Sequence, residues 1–154
     1  HRIFVNLPRS NAVAVVDRLT REMVELWNLE GAGQNTALAL DEDRARLFLG
    51  CGSPPEVLVW NTTARQVVNR LPVSGAVQWL FVDPTRERLM AGTAAGLCHV
   101  WRYRADEQFE SLGTMEIGPG PTQALYELST GRLYVAVPDS GNVRGAVRAY
   151  RGSQ

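Results

Sequence analysis

The residues whose types could do chemistry are few: His1, His99, Cys51, Cys98 and the acidic run Asp41-Glu42-Asp43. General acid–base or metal chemistry needs carboxylates, imidazoles or thiolates converging on one mouth, and these residues are scattered. His1 is terminal, and His99 sits in a strand-like run with Leu97 and Trp101 on its own face, which predicts a packed, satisfied imidazole rather than a ligand. The acidic run would suit calcium, but Arg44 and Arg46 lie beside it and predict a self-paired turn. All sixteen basic residues are Arg; without a lysine the chain cannot form a Schiff base. Cys51 and Cys98 fall at different points of different repeats, so they read as small buried filler rather than a disulfide. The glycine-rich segments 31–33 and 118–120 precede strand-like runs, so no helix N-terminus stands behind them to hold a phosphate. No catalytic group, metal site or cofactor is expected from this set.

Charge and hydropathy narrow the classes further. Sixteen basic and sixteen acidic residues balance to zero, and no basic cluster provides the footprint of a nucleic-acid partner. The longest apolar runs, 12–16 and 79–82, are strand-sized and far below the roughly 20 residues of a spanning helix.

The elements that would position any site repeat along the chain. Arg2-Ile3-Phe4-Val5, Arg46-Leu47-Phe48-Leu49, Arg88-Leu89-Met90-Ala91 and Arg132-Leu133-Tyr134-Val135 set the apolar anchors Ile3, Leu47, Leu89 and Leu133 at intervals of 44, 42 and 44 residues. Each is followed by a loop and a second apolar run, at 13–16, 57–60, 97–101 and 146–150. Third and fourth runs follow at 23–29 and 36–40, 66–73 and 77–82, 115–117 and 123–126. Asp17 and Asn61, again 44 apart, open turns whose backbone such side chains satisfy. No window sustains an apolar spacing of three and four, and β-branched and aromatic residues crowd the runs. Short strands at a period in the low forties predict an all-β chain, a β-propeller of four-stranded antiparallel blades. The repeats start near 2, 46, 88 and 132, and the chain holds about three and a half blades over 1–154: strands two to four of one unit, two whole units, and strands one to three of another. A partial propeller leaves edges and faces to cover, so it is expected to belong to a larger or oligomeric ring.

Ile3-Phe4-Val5-Asn6, then Ser10-Asn11-Ala12-Val13-Ala14-Val15-Val16-Asp17 and Thr20, resemble the YVTN-type β-propeller repeat, whose units run as a Tyr-Val-Thr-Asn strand, Ser-Asn-Thr-Val and a strand ending Ile-Asp. The second and third units look like WD40 repeats through Val59-Trp60-Asn61 and through Gly92-Thr93-Ala94-Ala95-Gly96 before Val100-Trp101. They depart from that pattern, since no Gly-His pair precedes the innermost strand and no Asp follows Trp101, and the YVTN-like class is favoured. The resemblance implies a periplasmic or cell-surface location.

In such a ring the strand one-to-two and three-to-four turns share one face, and the two-to-three and four-to-one loops share the opposite, usual ligand face. The first set collects most of the charges. The second holds little beyond Arg9, Glu30, Glu56, Asp139 and Arg144, so the ligand face is expected to be charge-poor, with the stretch 50–56 as one of its loops. Trp27, Trp60, Trp79 and Trp101 read first as packing between blades; Trp79 with Gln78 would serve a neutral or peptide-like ligand if they reach the central channel. The expected function is a non-enzymatic binding module, its ligand-face candidates Asn11, Gln34, Asn35, Ser53, Glu56, Gln78, Trp79, Thr122 and Asn142. Its partner would be a protein, a peptide or another propeller half. The alternative is a fragment of a propeller enzyme, a lactonase-like hydrolase or an oxidoreductase, with catalytic groups on other blades.

Overall fold

Alternation of apolar residues along short runs produces fourteen strands and, among the described residues, no helix. The structure is a computed structural model and describes residues 1–104, 108–118, 120, 123–139, 141 and 144–151. The strands form four antiparallel sheets in sequence order. Sheet I holds β1 (Arg2–Leu7), β2 (Ala12–Asp17) and β3 (Met23–Asn28). Sheet II holds β4 (Ala37–Asp41), β5 (Arg46–Gly52), β6 (Pro55–Asn61) and β7 (Gln66–Pro72). Sheet III holds β8 (Val77–Asp83), β9 (Arg88–Thr93), β10 (Leu97–Tyr103) and β11 (Phe109–Glu116). Sheet IV holds β12 (Gln123–Glu127), β13 (Arg132–Val137) and β14 (Ala146–Arg151).

This is a partial β-propeller of three-, four-, four- and three-stranded sheets. Sheet I supplies the second to fourth strand positions and sheet IV the first to third. Two sequence-based boundaries move. The run at 115–117 is only the end of β11, which begins at Phe109; Glu110, Ser111 and Gly113 diluted its apolar pattern. The stretch 50–56 is mostly strand, because β5 and β6 pair out to Gly52↔Pro55 and leave Ser53-Pro54 as the turn.

Both faces of each central sheet are apolar, and adjacent residues therefore enter different cores. In β5, Leu47 and Leu49 pack toward sheet I with Val13, Val15 and Trp27. Their neighbour Phe48 packs the other way, with Leu80, Leu89 and Tyr103 of sheet III. A third core joins Trp79, Met90 and Cys98 of sheet III to Leu133, Val135 and Val137 of sheet IV. All four tryptophans lie in these cores: Trp27 stacks on Trp60 at 5.3 Å and 3°, Trp101 sits between sheets II and III, and Trp79 lies against Gly92. Cys51 and Cys98 are buried, free thiols, and burial pushes both up to about 12.

Adjacent sheets are also clasped through side chains. Asp41 ends β4, and its Oδ1 accepts from the Arg44 backbone N–H at 3.2 Å. Its Oδ2 accepts from Arg44 Nη1 at 3.0 Å and from the Tyr103 hydroxyl of sheet III. Asp83 ends β8 at the matching place: it accepts from the Arg86 N–H at 3.0 Å, Arg86 Nη1 at 2.9 Å and the Tyr126 hydroxyl of sheet IV at 2.7 Å. Arg86 also donates to the Leu128 carbonyl at 2.7 Å. Asp41 of the acidic run is thus paired with Arg44 within its own turn and buried, while Glu42 and Asp43 are exposed. On the same edge of the sheets, Asp17 Oδ1 accepts from the Leu19 and Thr20 N–H groups, and Asn61 Oδ1 from those of Thr63 and Ala64.

Two outcomes follow from this packing. A Cβ built on Gly92 would overlap the Trp79 indole, so Gly92→Ala is expected to lower stability by about 1–3 kcal/mol, read from the urea midpoint. At Asp83, burial pushes the carboxyl up, but the hydrogen bonds from Tyr126 and Arg86 outweigh it and hold the group below its ordinary 3.8. A lowered carboxylate stabilises the fold above its unfolded value, and that contribution disappears as pH falls through the folded value. Asp83→Asn should therefore cost about 2 kcal/mol at pH 7, and wild type and variant should converge in thermal unfolding scans below about pH 4.

Candidate functional site

Antiparallel order in every sheet sends the connections to two opposite edges. One edge carries β1–β2 (8–11), β3–β4 (29–36), β5–β6 (53–54), β7–β8 (73–76) and β9–β10 (94–96). Charged side chains in its described loops are Arg9, Glu30, Asp139 and Arg144. Here the surface dips into a shallow, open depression of about 540 Å³, lined by Asn11, Leu29, residues 31–34 and Ser53.

The depression is built by backbone crossing between sheets I and II. Gly33 forms an isolated bridge with Ser53: its N–H donates to the Ser53 carbonyl at 2.8 Å, and its carbonyl accepts from Gly52 N–H at 3.1 Å. Asn11 holds the same segment, its Oδ1 accepting the Gln34 N–H at 3.2 Å and its carbonyl accepting the Leu29 N–H at 2.9 Å. A side chain at Gly33 would meet Asn11 Oδ1 at 2.5 Å, and one at Gly52 would meet Gln34 Oε1 at 2.6 Å, so glycine allows these approaches. Asn11 and Gln34 both take left-handed backbone, with φ of 47° and 54°; asparagine tolerates this better than most residues.

Asn11, Gln34 and Ser53 therefore come together at one exposed place. The other candidates lie elsewhere. Asn35 is wholly buried: its Nδ2 donates to Asn6 Oδ1 and to the Ala12 carbonyl, both at 3.0 Å, and Asn6 Nδ2 donates to the Ala37 carbonyl at 3.1 Å. It pins sheet I to sheet II from within. Glu56 lies inside β6, buried, and binds Arg70 Nη1 at 2.6 Å while Arg70 Nη2 donates to the Glu30 carbonyl at 2.8 Å. That pair ties the 29–36 loop down rather than offering a free carboxylate. Trp79 is buried in the core of sheets III and IV. Gln78 is half-buried at the register shift between Val77 and Trp79. Thr122 and Asn142 lie outside the described residues.

Sequence reasoning passed over the backbone groups of 31–34 that shape the depression. The Gly-Ala-Gly run was the available signal, since two glycines before a strand mark close backbone approach. His99 is packed as expected: its ring stacks on Trp101 at 5.8 Å and 15°, and Nε2 accepts the Ser74 N–H at 3.2 Å. Burial pulls it below its ordinary 6.5, and the accepted hydrogen bond requires the neutral imidazole. Among the described residues no three of His, Cys, Asp and Glu converge as a metal centre.

No family model matches the sequence, and no curated protein matches it. Solved structures do. Hydrazine synthase from Kuenenia stuttgartiensis is similar over 97% of this chain and 42% of its own, with a TM-score of 0.83 at 14% identity. The structure of U3-55K is similar over 99% of this chain and 49% of its own, with a TM-score of 0.76 at 17% identity. The chain spans less than half the length of either, and both likenesses carry the fold: this is part of a β-propeller.

Proposed function

We propose that the chain is a non-enzymatic binding module of a YVTN-like propeller, part of a larger or oligomeric ring, and that its charge-poor edge takes a neutral, polar protein or peptide segment. The observation that carries this reading is the depression at Asn11, 31–34 and Ser53, whose walls are backbone and uncharged side chains. Its shape is shallow and open, which suits an extended segment lying across it better than an enclosed small molecule. The walls are held by the Gly33–Ser53 bridge and the Asn11–Gln34 hydrogen bond, so a partner meets groups that are already ordered, and binding costs less entropy. Neutral lining matches a neutral ligand, because a charged group placed there would lose hydration without gaining a counter-charge. The periplasmic or cell-surface location stands on the YVTN resemblance.

The test is a peptide-display selection on the whole chain at neutral pH, with hits remeasured by calorimetry against Ser53→Arg and Asn11→Asp. Selected peptides should lose about tenfold or more in affinity for both variants, as desolvating a new charge requires, while circular dichroism and melting temperature stay at wild-type values. Hits that bind wild type and both variants equally would place recognition elsewhere and end this reading.

A further inference from the structure

Two connections in the chain make the same crossing with different lengths. β3–β4 (29–36) and β7–β8 (73–76) each carry the backbone from the outer strand of one sheet to the first strand of the next. Both leave the outer strand through the same bond, Leu29 N–H to the Asn11 carbonyl at 2.9 Å and Val73 N–H to the Pro55 carbonyl at 3.1 Å. Four residues suffice between sheets II and III, so four of the eight between sheets I and II are surplus to the crossing. The β11–β12 crossing, 117–122, lies partly outside the described residues. Extra length in one unit of a repeat maps to loops on one face, often the binding face.

The longer crossing is fixed along its length. The Glu30 carbonyl accepts from Arg70 Nη2 at 2.8 Å, Ala32 N–H donates to the Leu29 carbonyl at 3.2 Å, and Gly33 bridges to Ser53. Gln34 N–H reaches Asn11 Oδ1, Asn35 is sealed inside, and Thr36 Oγ1 donates to the Val77 carbonyl at 2.9 Å. At the depression these bonds leave the Gln34 carboxamide over: it is exposed and has no hydrogen-bond partner among the described residues.

That carboxamide is nevertheless held in place. A Cβ on Gly52 would meet Gln34 Cβ at 3.2 Å and Oε1 at 2.6 Å, so the side chain lies across Gly52. A Cβ on Gly33 would meet Asn11 Cγ at 2.9 Å and Nδ2 at 3.2 Å, so the Asn11 carboxamide lies across Gly33 in the same way. Gly52 N–H donates to the Gly33 carbonyl, and the two carboxamides therefore rest on neighbouring glycines. The backbone of Gln34 is strained to put it there. Arg21, Ala45, Arg65 and Glu87 also have left-handed backbone, but each closes a hairpin turn. Gln34, at φ 54°, closes none. Glycine would take this conformation without strain, and strain of this kind gathers at ligand clamps and other sites of function.

We infer that Gln34 reads the main chain of the bound segment, its carboxamide pairing with the N–H and C=O of one extended residue while Asn11 Nδ2 donates to a further carbonyl. In an extended strand the N–H and C=O of one residue point to the same side. A carboxamide offers a donor and an acceptor in one plane, which matches that pair; a carboxylate or an ammonium matches half of it. Asn11 Oδ1 is taken by the Gln34 N–H, so only its donor remains. This rests on the loop-edge reading above and names the residue through which that edge reads its partner.

The test takes the tightest peptide from display on the whole chain and remakes it with a single N-methyl group at each backbone nitrogen in turn. Affinities are measured by calorimetry for wild type and Gln34→Gly. The glycine keeps the left-handed backbone, so the urea midpoint should equal or exceed that of wild type, while affinity falls about tenfold. One N-methyl position should weaken binding to wild type about tenfold and leave binding to Gln34→Gly unchanged, the non-additivity of two groups in contact. An alanine scan of the same peptide separates the two sources of an amide: coupling of Gln34→Gly to a peptide Asn or Gln side chain instead of to the main chain would overturn the inference. So would peptides that lose affinity for Ser53→Arg yet bind Gln34→Gly as tightly as wild type, a result the loop-edge reading would survive. Peptides indifferent to Ser53→Arg, or a selection that yields none, would end both.

Discussion

Everything in this chain depends on sheets that are apolar on both faces. A sheet of this kind cannot keep one side in water, so each must lie between two others. The repeated anchors show the consequence. Leu47 and Leu89 are fully buried and Leu133 is 2% exposed, each facing the preceding sheet, whereas Ile3, the same position in sheet I, is 46% exposed. Burying one such side chain stabilises by about 1.5–3 kcal/mol, and several occur per interface. Stacking of sheets is therefore the dominant favourable term, and the two outermost faces are where it is unfulfilled.

Polar groups then select one way of stacking. Hydrophobic faces alone would permit sliding, and the Asp–Arg–Tyr clasps remove that freedom by fixing the end of one innermost strand to the next sheet. The same residues close the turn that carries them, through the Arg44 and Arg86 backbone N–H groups. One carboxylate thus sets a local turn and a distant contact together. Asn35 performs a related task on the opposite edge between sheets I and II.

This division of labour leaves the loop edge poor in charge. Acids and arginines are drawn to the turns they stabilise, and the loops around Asn11, Gln34 and Ser53 keep glycine, amides and backbone. A rigid, neutral, shallow surface is suited to recognition. The thiols and the imidazole lie within strands, where burial raises the first and lowers the second toward their uncharged forms. Their chemistry is spent on packing.

The sequence by itself determined the repeat, the strand count of each unit, the Asx turns at Asp17 and Asn61 and the packed state of His99, because each is set by spacing or by neighbours a few residues away. It also placed Asn11, Gln34 and Ser53 on one edge, since antiparallel order follows from short connections. Only the tertiary structure decided which polar residues would be consumed inside. Asn35 and Gln34 are adjacent, yet one is sealed against Asn6 and Ala12 while the other is exposed, an outcome set by how closely sheet I approaches sheet II. Glu56 found Arg70 across a strand pair whose register carries a bulge, and Trp79 turned into the core after the register shift at its own strand's start. A bulge shifts every later side chain by one face. Period-two reading sees the alternation, and the neighbouring sheet decides which side of it becomes interior.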